Sequence, residues 1–186
     1  AFQLAIGSDG IPFFTINVVA RTLGIGSGGG MGEQVTPVTV RGTAGICDGA
    51  PHHLAVTWAT SGPQTSDTTQ TTTCTATLYV DGVAAPVVST PIKAFGVKPR
   101  SSSAPLTLGI SALPTAKTGV VALESQARFE GVLTGVRFWS ATLTANQVTT
   151  ARQQAQAADD TNGVEVAWWF DEEDGLEAKS SVGEAD

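Results

Sequence analysis

Basic residues are scarce in this sequence: 10 Lys and Arg stand against 17 Asp and Glu, a net charge of −7 over 186 residues. A phosphate backbone needs a basic footprint, so nucleic acid is excluded as a partner. Anionic lipid headgroups are excluded on the same ground. No run of 18 apolar residues occurs, so no membrane insertion by a helix is expected. There is no Asn-x-Ser/Thr acceptor, which removes N-glycosylation, no Cys-x-x-Cys knuckle for zinc and no nucleophile elbow for Ser/His/Asp chemistry. The first residues show no basic n-region and no cleavage-site pattern, so the sequence reads as cytosolic or as already processed. Cysteine is limited to Cys47 and Cys74. Few charges with much Thr, Ser and Gly suit a secreted or surface-displayed protein, where a Cys47–Cys74 disulfide is one reading. Two separate buried thiols are the other. Bridging requires residues 42–51 to fold back across a sheet, because Cα atoms more than about 7 Å apart cannot be joined.

What is abundant is alternation. In His53–Ala59, Leu54, Val56 and Trp58 share one face, and His53, Ala55, Thr57 and Ala59 the other. In Thr75–Val80, Ala76, Leu78 and Val80 oppose Thr75, Thr77 and Tyr79. A period of two in β-branched and aromatic residues predicts half-buried antiparallel strands. Asp81-Gly82 supplies the positive φ angles of a tight turn into a third strand, Val83–Ser89. A hairpin is predicted at the start, Gln3–Ile6 and Ile11–Val19 around Asp9-Gly10, with Phe14, Ile16 and Val18 on one face. Further strands are expected at Gln34–Arg41, around Leu106, Leu108 and Ile110, through Phe129–Trp139 with Val132, Val136 and Phe138 on one side, and at Val164–Phe170.

Between these lie a Gly-rich stretch, 24–32, and a Thr/Ser-rich stretch, 61–73. The first lacks the Gly-Lys-Ser/Thr ending and following helix of a phosphate loop, so a flexible loop is expected. The second is a solvated loop with room for O-linked sugar. One helix is predicted: Thr144 and Gln147 form a capping box, and Val148, Ala151 and Ala155 an apolar stripe reaching about Ala158. With 41% apolar residues a core can form. The chain reads as one domain over 1–176 with an acidic, polar tail at 177–186.

Several of these blocks, in this order, resemble a known family. Asp48-Gly49-Ala50-Pro51-His52-His53-Leu54-Ala55-Val56-Thr57-Trp58 is similar to the DGxWHHVAVTW block of laminin-G-like and pentraxin-like domains. Leu78-Tyr79-Val80-Asp81-Gly82 resembles their LYVDG turn, and Leu106-Thr107-Leu108-Gly109 their LxLG strand. Residues 129–144 look like FxGxIDEVRIWNRALS, and Val166–Glu172 like AYWPFDE. The resemblance implies a concanavalin A-like fold: all-β, a two-sheet antiparallel jelly-roll sandwich with one short helix in the C-terminal half. Pro51 stands where the family has Trp, and Thr134-Gly135 where it has an acidic pair. Family members also carry several strands before the position of Ala1, so those strands are expected from another chain or another copy of this one.

For function, the resemblance implies a non-catalytic recognition or adhesion module, extracellular or at the cell surface, binding glycan or protein. The alternative is a structural subunit that assembles into an oligomer or filament by strand exchange. A degenerate glucanase ranks third, because the Glu-x-Asp-x-x-Glu pattern that would supply nucleophile and acid/base is absent. Calcium is the cofactor that the family suggests. Asp171-Glu172-Glu173-Asp174 is the densest acidic run, yet it matches no ligand motif, so no metal ligand is assigned. His52 and His53 point to opposite faces of a strand and cannot chelate one ion. Trp58 and Trp168 are expected in the core. Trp139 and Trp169, on the opposite faces of their strands, are the candidates for a ligand platform or subunit contact.

Overall fold

A computed structural model of the chain describes residues 2–23, 31–62, 71–92, 95–101, 106–109, 129–153 and 163–170. They form a β-sandwich whose two larger sheets are built alike. In the first, β2 (Pro12–Leu23) runs the length of β3 (Met31–Arg41) on one side. Its other side is shared by β1 (Phe2–Ile6), which pairs with its first half, and β8 (Phe95–Pro99), which pairs with its second. In the second sheet β5 (Thr72–Val80) lies along β4 (Leu54–Ser61). Its far side is divided between β6 (Val83–Ala84) and β7 (Val88–Ile92). A two-stranded ribbon, β9 (Val136–Trp139) with β10 (Val164–Trp168), carries α1 (Ala145–Gln153) between its strands. All pairings are antiparallel.

Alternation decides most of what is inside, with Val19, Thr77 and Tyr79 buried in addition. Phe14, Ile16, Val18 and Ala20 of β2 and Val38 and Val40 of β3 face Cys74, Ala76 and Leu78 of β5 in one buried cluster. Val56, Trp58 and Val88 pack against its margin, so Trp58 belongs to the core. The outer faces are polar and paired across strands, as with Thr15 and Thr39, whose hydroxyls lie 2.9 Å apart.

Turn chemistry sets the registers. Asp81 and Gly82 both have positive φ, 53° and 82°, in the two-residue turn that brings Val80 opposite Val83. At the first hairpin Ile6 pairs with Pro12, and the Asp9 carboxylate accepts the Ile11 N–H at 3.2 Å while pairing with Arg41. The capping box is complete: Gln147 N–H donates to Thr144 Oγ1 at 3.3 Å, and Thr144 N–H to Gln147 Oε1 at 2.8 Å.

Several expectations are corrected. The strand foreseen over Val83–Ser89 is two strands, broken around Pro86, which has no N–H for the ladder. β4 and β5 reach Ser61 and Thr72, into the polar stretch, and Thr72 is buried beside Ile92. β8 was not foreseen: Gly96, at φ 62°, and Lys98 interrupt the apolar pattern of Val97. Residues 106–109 are not a strand and expose Leu106 and Leu108. In 129–139 only Val136–Trp139 is extended into a ladder, and Val132 is 85% exposed rather than inward. β10 ends at Trp168, and Phe170 turns the chain at φ 54°. The Gly-rich stretch at 24–30, Ile110, the helix beyond Gln153 and the tail lie outside the described residues.

The disulfide is also corrected. Cys47 and Cys74 are both free. Cys74 is an even-numbered β5 residue and points into the sandwich, where burial pushes its thiol up to about 11. Cys47 sits outside on the loop before β4, against Gly10 of the first hairpin turn. Unreduced native protein is therefore expected to yield one thiol to Ellman's reagent and two in denaturant; zero in both would restore the bridge. Leu78→Ala should cost about 2–5 kcal/mol in urea unfolding, whereas Val83→Ala, on a side chain 72% exposed, should stay within about 0.5 kcal/mol.

Candidate functional site

A cluster of charged and imidazole side chains, Asp48, His52, Asp81 and Arg152, lies at one end of the second sheet. The register that sets Leu54 opposite Val80 brings His52 and His53 alongside the Asp81 turn. There Asp81 N–H donates to His53 C=O at 2.8 Å, and His53 N–H returns to Asp81 Oδ1 at 3.0 Å. The second carboxylate oxygen, Oδ2, lies 2.7 Å from His52 Nδ1. The other ring nitrogen, Nε2, lies 2.9 Å from Asp48 Oδ1, which also accepts the Ala50 N–H at 2.9 Å. From the last turn of α1, Arg152 donates to the Asp81 carbonyl at 2.8 Å and stands 3.5 Å from its carboxylate. Gly82 is required here twice over, by its φ and because a Cβ would sit 3.3 Å from Thr149 Oγ1 of the helix.

The electrostatics follow from these contacts. The His53 N–H, then the His52 bond, hold the Asp81 carboxyl below its usual range. Asp48 is lowered by the Ala50 N–H and by His52. His52 is raised by its bond to Asp81 and then by that to Asp48. His53 goes the other way. Burial, then the charges of Arg137 and Arg152, lower its pKa, and its buried Nδ1 has no hydrogen-bond partner among the described residues.

Behind His53 stands Arg137 of β9. Its guanidinium lies 5.1 Å from the ring centre of Trp139 and 5.3 Å from that of Trp169, and it donates to Ala151 C=O at 2.6 Å. Burial lowers its pKa. The two tryptophans singled out in the sequence are thus brought together, half-buried, as the two sides of a cation clamp. Gly135 allows this, since its would-be Cβ comes within 3.1 Å of the Trp169 ring. The opposite face of the ribbon is apolar: Phe138 meets Trp168 edge-on at 6.2 Å and Phe2 at 6.1 Å.

Comparison with family models, with curated proteins and with solved structures finds no match to this chain. Both ring nitrogens of His52 are taken by carboxylates, so it offers no free nitrogen to a nucleophile and acts as a holder of one proton. No group of three His, Cys, Asp or Glu side chains among the described residues could hold a metal ion. The acidic run at 171–174 lies outside them. His52 and His53 both precede β4, outside the strand expected for them, and their rings differ in surroundings: His52 lies between Asp48 and Asp81, whereas Nδ1 of His53 is buried. Arg137 and Arg152 were not anticipated from sequence; the strand register, once drawn, would have placed His52 against Asp81.

Replacing Arg137 by Met removes a charged hydrogen bond and two ring contacts, so a loss of about 2 kcal/mol in urea unfolding is expected. Arg137→Lys should recover only part of it, because an ammonium cannot fill a planar slot. Wild-type stability in the Met variant would contradict the clamp.

Proposed function

We propose that this chain is a non-catalytic recognition module of concanavalin A-like jelly-roll topology, working outside the cell or at its surface, whose ligand is an extended polypeptide. One observation carries the reading. Phe2 and Leu4 pair with Ile16 and Phe14 and so share the inward face of the first sheet. Yet they are 51% and 42% exposed, where Ile16 and Phe14 are 5% and 6%. An inner layer that continues past the covered core is suited to receive alternate apolar side chains of an added strand. A protein ligand is favoured over glycan because the two candidate stacking residues, Trp139 and Trp169, each give a ring face to Arg137.

A second reading, self-assembly by strand exchange, draws on the same exposed residues. Light scattering on the size-excluded full chain, with and without EDTA, separates the two. A particle of 19.0 kDa favours a foreign ligand, a multiple favours self-assembly, and loss of the multiple in EDTA would bring calcium into the contact. Peptide display against the immobilised full chain then tests the first reading. Enrichment of extended peptides with alternating apolar residues, lost in Leu4→Glu, is the expected result. Hits on a glycan array with no peptide enrichment would overturn it.

A further inference from the structure

The contacts of His52 carry a consequence beyond ligand recognition. A carboxylate only accepts hydrogen bonds, and a neutral imidazole has one N–H. His52 reaches a carboxylate oxygen with each ring nitrogen, at 2.7 and 2.9 Å, an arrangement only the imidazolium satisfies. We propose that His52 is a proton-operated latch, which when charged ties the loop before β4 to the Asp81 turn and when neutral releases the Asp48 end of that loop.

The direction of release follows from the neighbours. Asp81 is held independently by His53 N–H and by Arg152 from α1, and its side chain is 30% exposed. Among the described residues Asp48 has the local Ala50 N–H besides His52, and it is 58% exposed. The Nε2 proton, facing the more hydrated carboxylate across the longer contact, is the one lost. A lone pair then faces a negative oxygen, and water replaces the contact. The loop's earlier half is pinned elsewhere, by Gly42 N–H to Pro12 C=O at 2.8 Å and Ile46 N–H to Gly10 C=O at 2.9 Å. Only residues 47–51 are freed. His53 and Arg137 lie on the other side of the strand start and add no acceptor to His52; the Asp9–Arg41 pair sits at the anchored half.

The raised pKa of His52 sets the sign. The latch is closed below the ordinary imidazole value of about 6.5 and opens as pH rises through the higher folded value. NMR titration of the full chain tests this. The His52 ring should titrate above 6.5 and move down in Asp48→Asn. Backbone order parameters at Gly49 and Ala50 should fall below about 0.6 across that titration while Leu78 stays near about 0.85. In His52→Gln they should not change with pH. A His52 ring titrating at or below 6.5, or Gly49 and Ala50 equally ordered on both sides of the titration, would overturn the latch.

Discussion

The Asp81 carboxylate is the point on which the tertiary arrangement turns. Its residue occupies a left-handed turn position that Asp tolerates better than most, and its oxygens then face three separate parts of the chain. The His53 amide fixes the start of β4, the His52 ring gathers the preceding loop, and Arg152 brings down the helix. Replacing any one partner would leave a partly buried charge short of compensation. One carboxylate thereby joins the second sheet, its entry loop and α1.

The ribbon is attached by different physics on its two faces. Arg137 enters between Trp139 and Trp169 and reaches the helix backbone, so that face is held by a desolvated cation. The other face joins the first sheet through rings, Phe138 with Phe2 and Phe2 with Phe14. Phe2 is therefore both a link in this chain and half open to solvent, so packing on the inward face of β1 is incomplete. An added strand there would extend a contact already begun, and would not need to create a new one.

Much of the sandwich could be read from residues because its signals are local. Alternation in 11–19, 53–59 and 75–80, two Asp-Gly turns and a Thr-x-x-Gln cap each depend on neighbours within a few positions. The errors have a common cause. The apolar residues of 129–135 alternate as a strand would, but alternation says nothing about whether a partner strand lies alongside. Pro86 split a strand that side-chain pattern alone would have continued. The two cysteines were read together for their even count, whereas Cys74 belongs to the inward set of β5 by the same parity that places Leu78 there. The cation between Trp139 and Trp169 comes from β9 and is visible only when β9 and β10 are paired.

The account gives unequal weight to two similar residues. Asp9 and Asp81 each precede a glycine in a hairpin turn and each pairs with an arginine, but Asp9 meets only Arg41 and a local amide whereas Asp81 joins three elements. The decisive measurement compares Asp9→Asn with Asp81→Asn by urea unfolding at neutral pH. In both variants Asn keeps one oxygen for the backbone amide, loses the charge and turns the second acceptor into a donor, and at position 81 it tolerates the left-handed turn. A midpoint that drops far more for Asp81→Asn than for Asp9→Asn is what the account predicts. Equal drops would mean that the Asp81 contacts are surface pairing and that the packing holds without them.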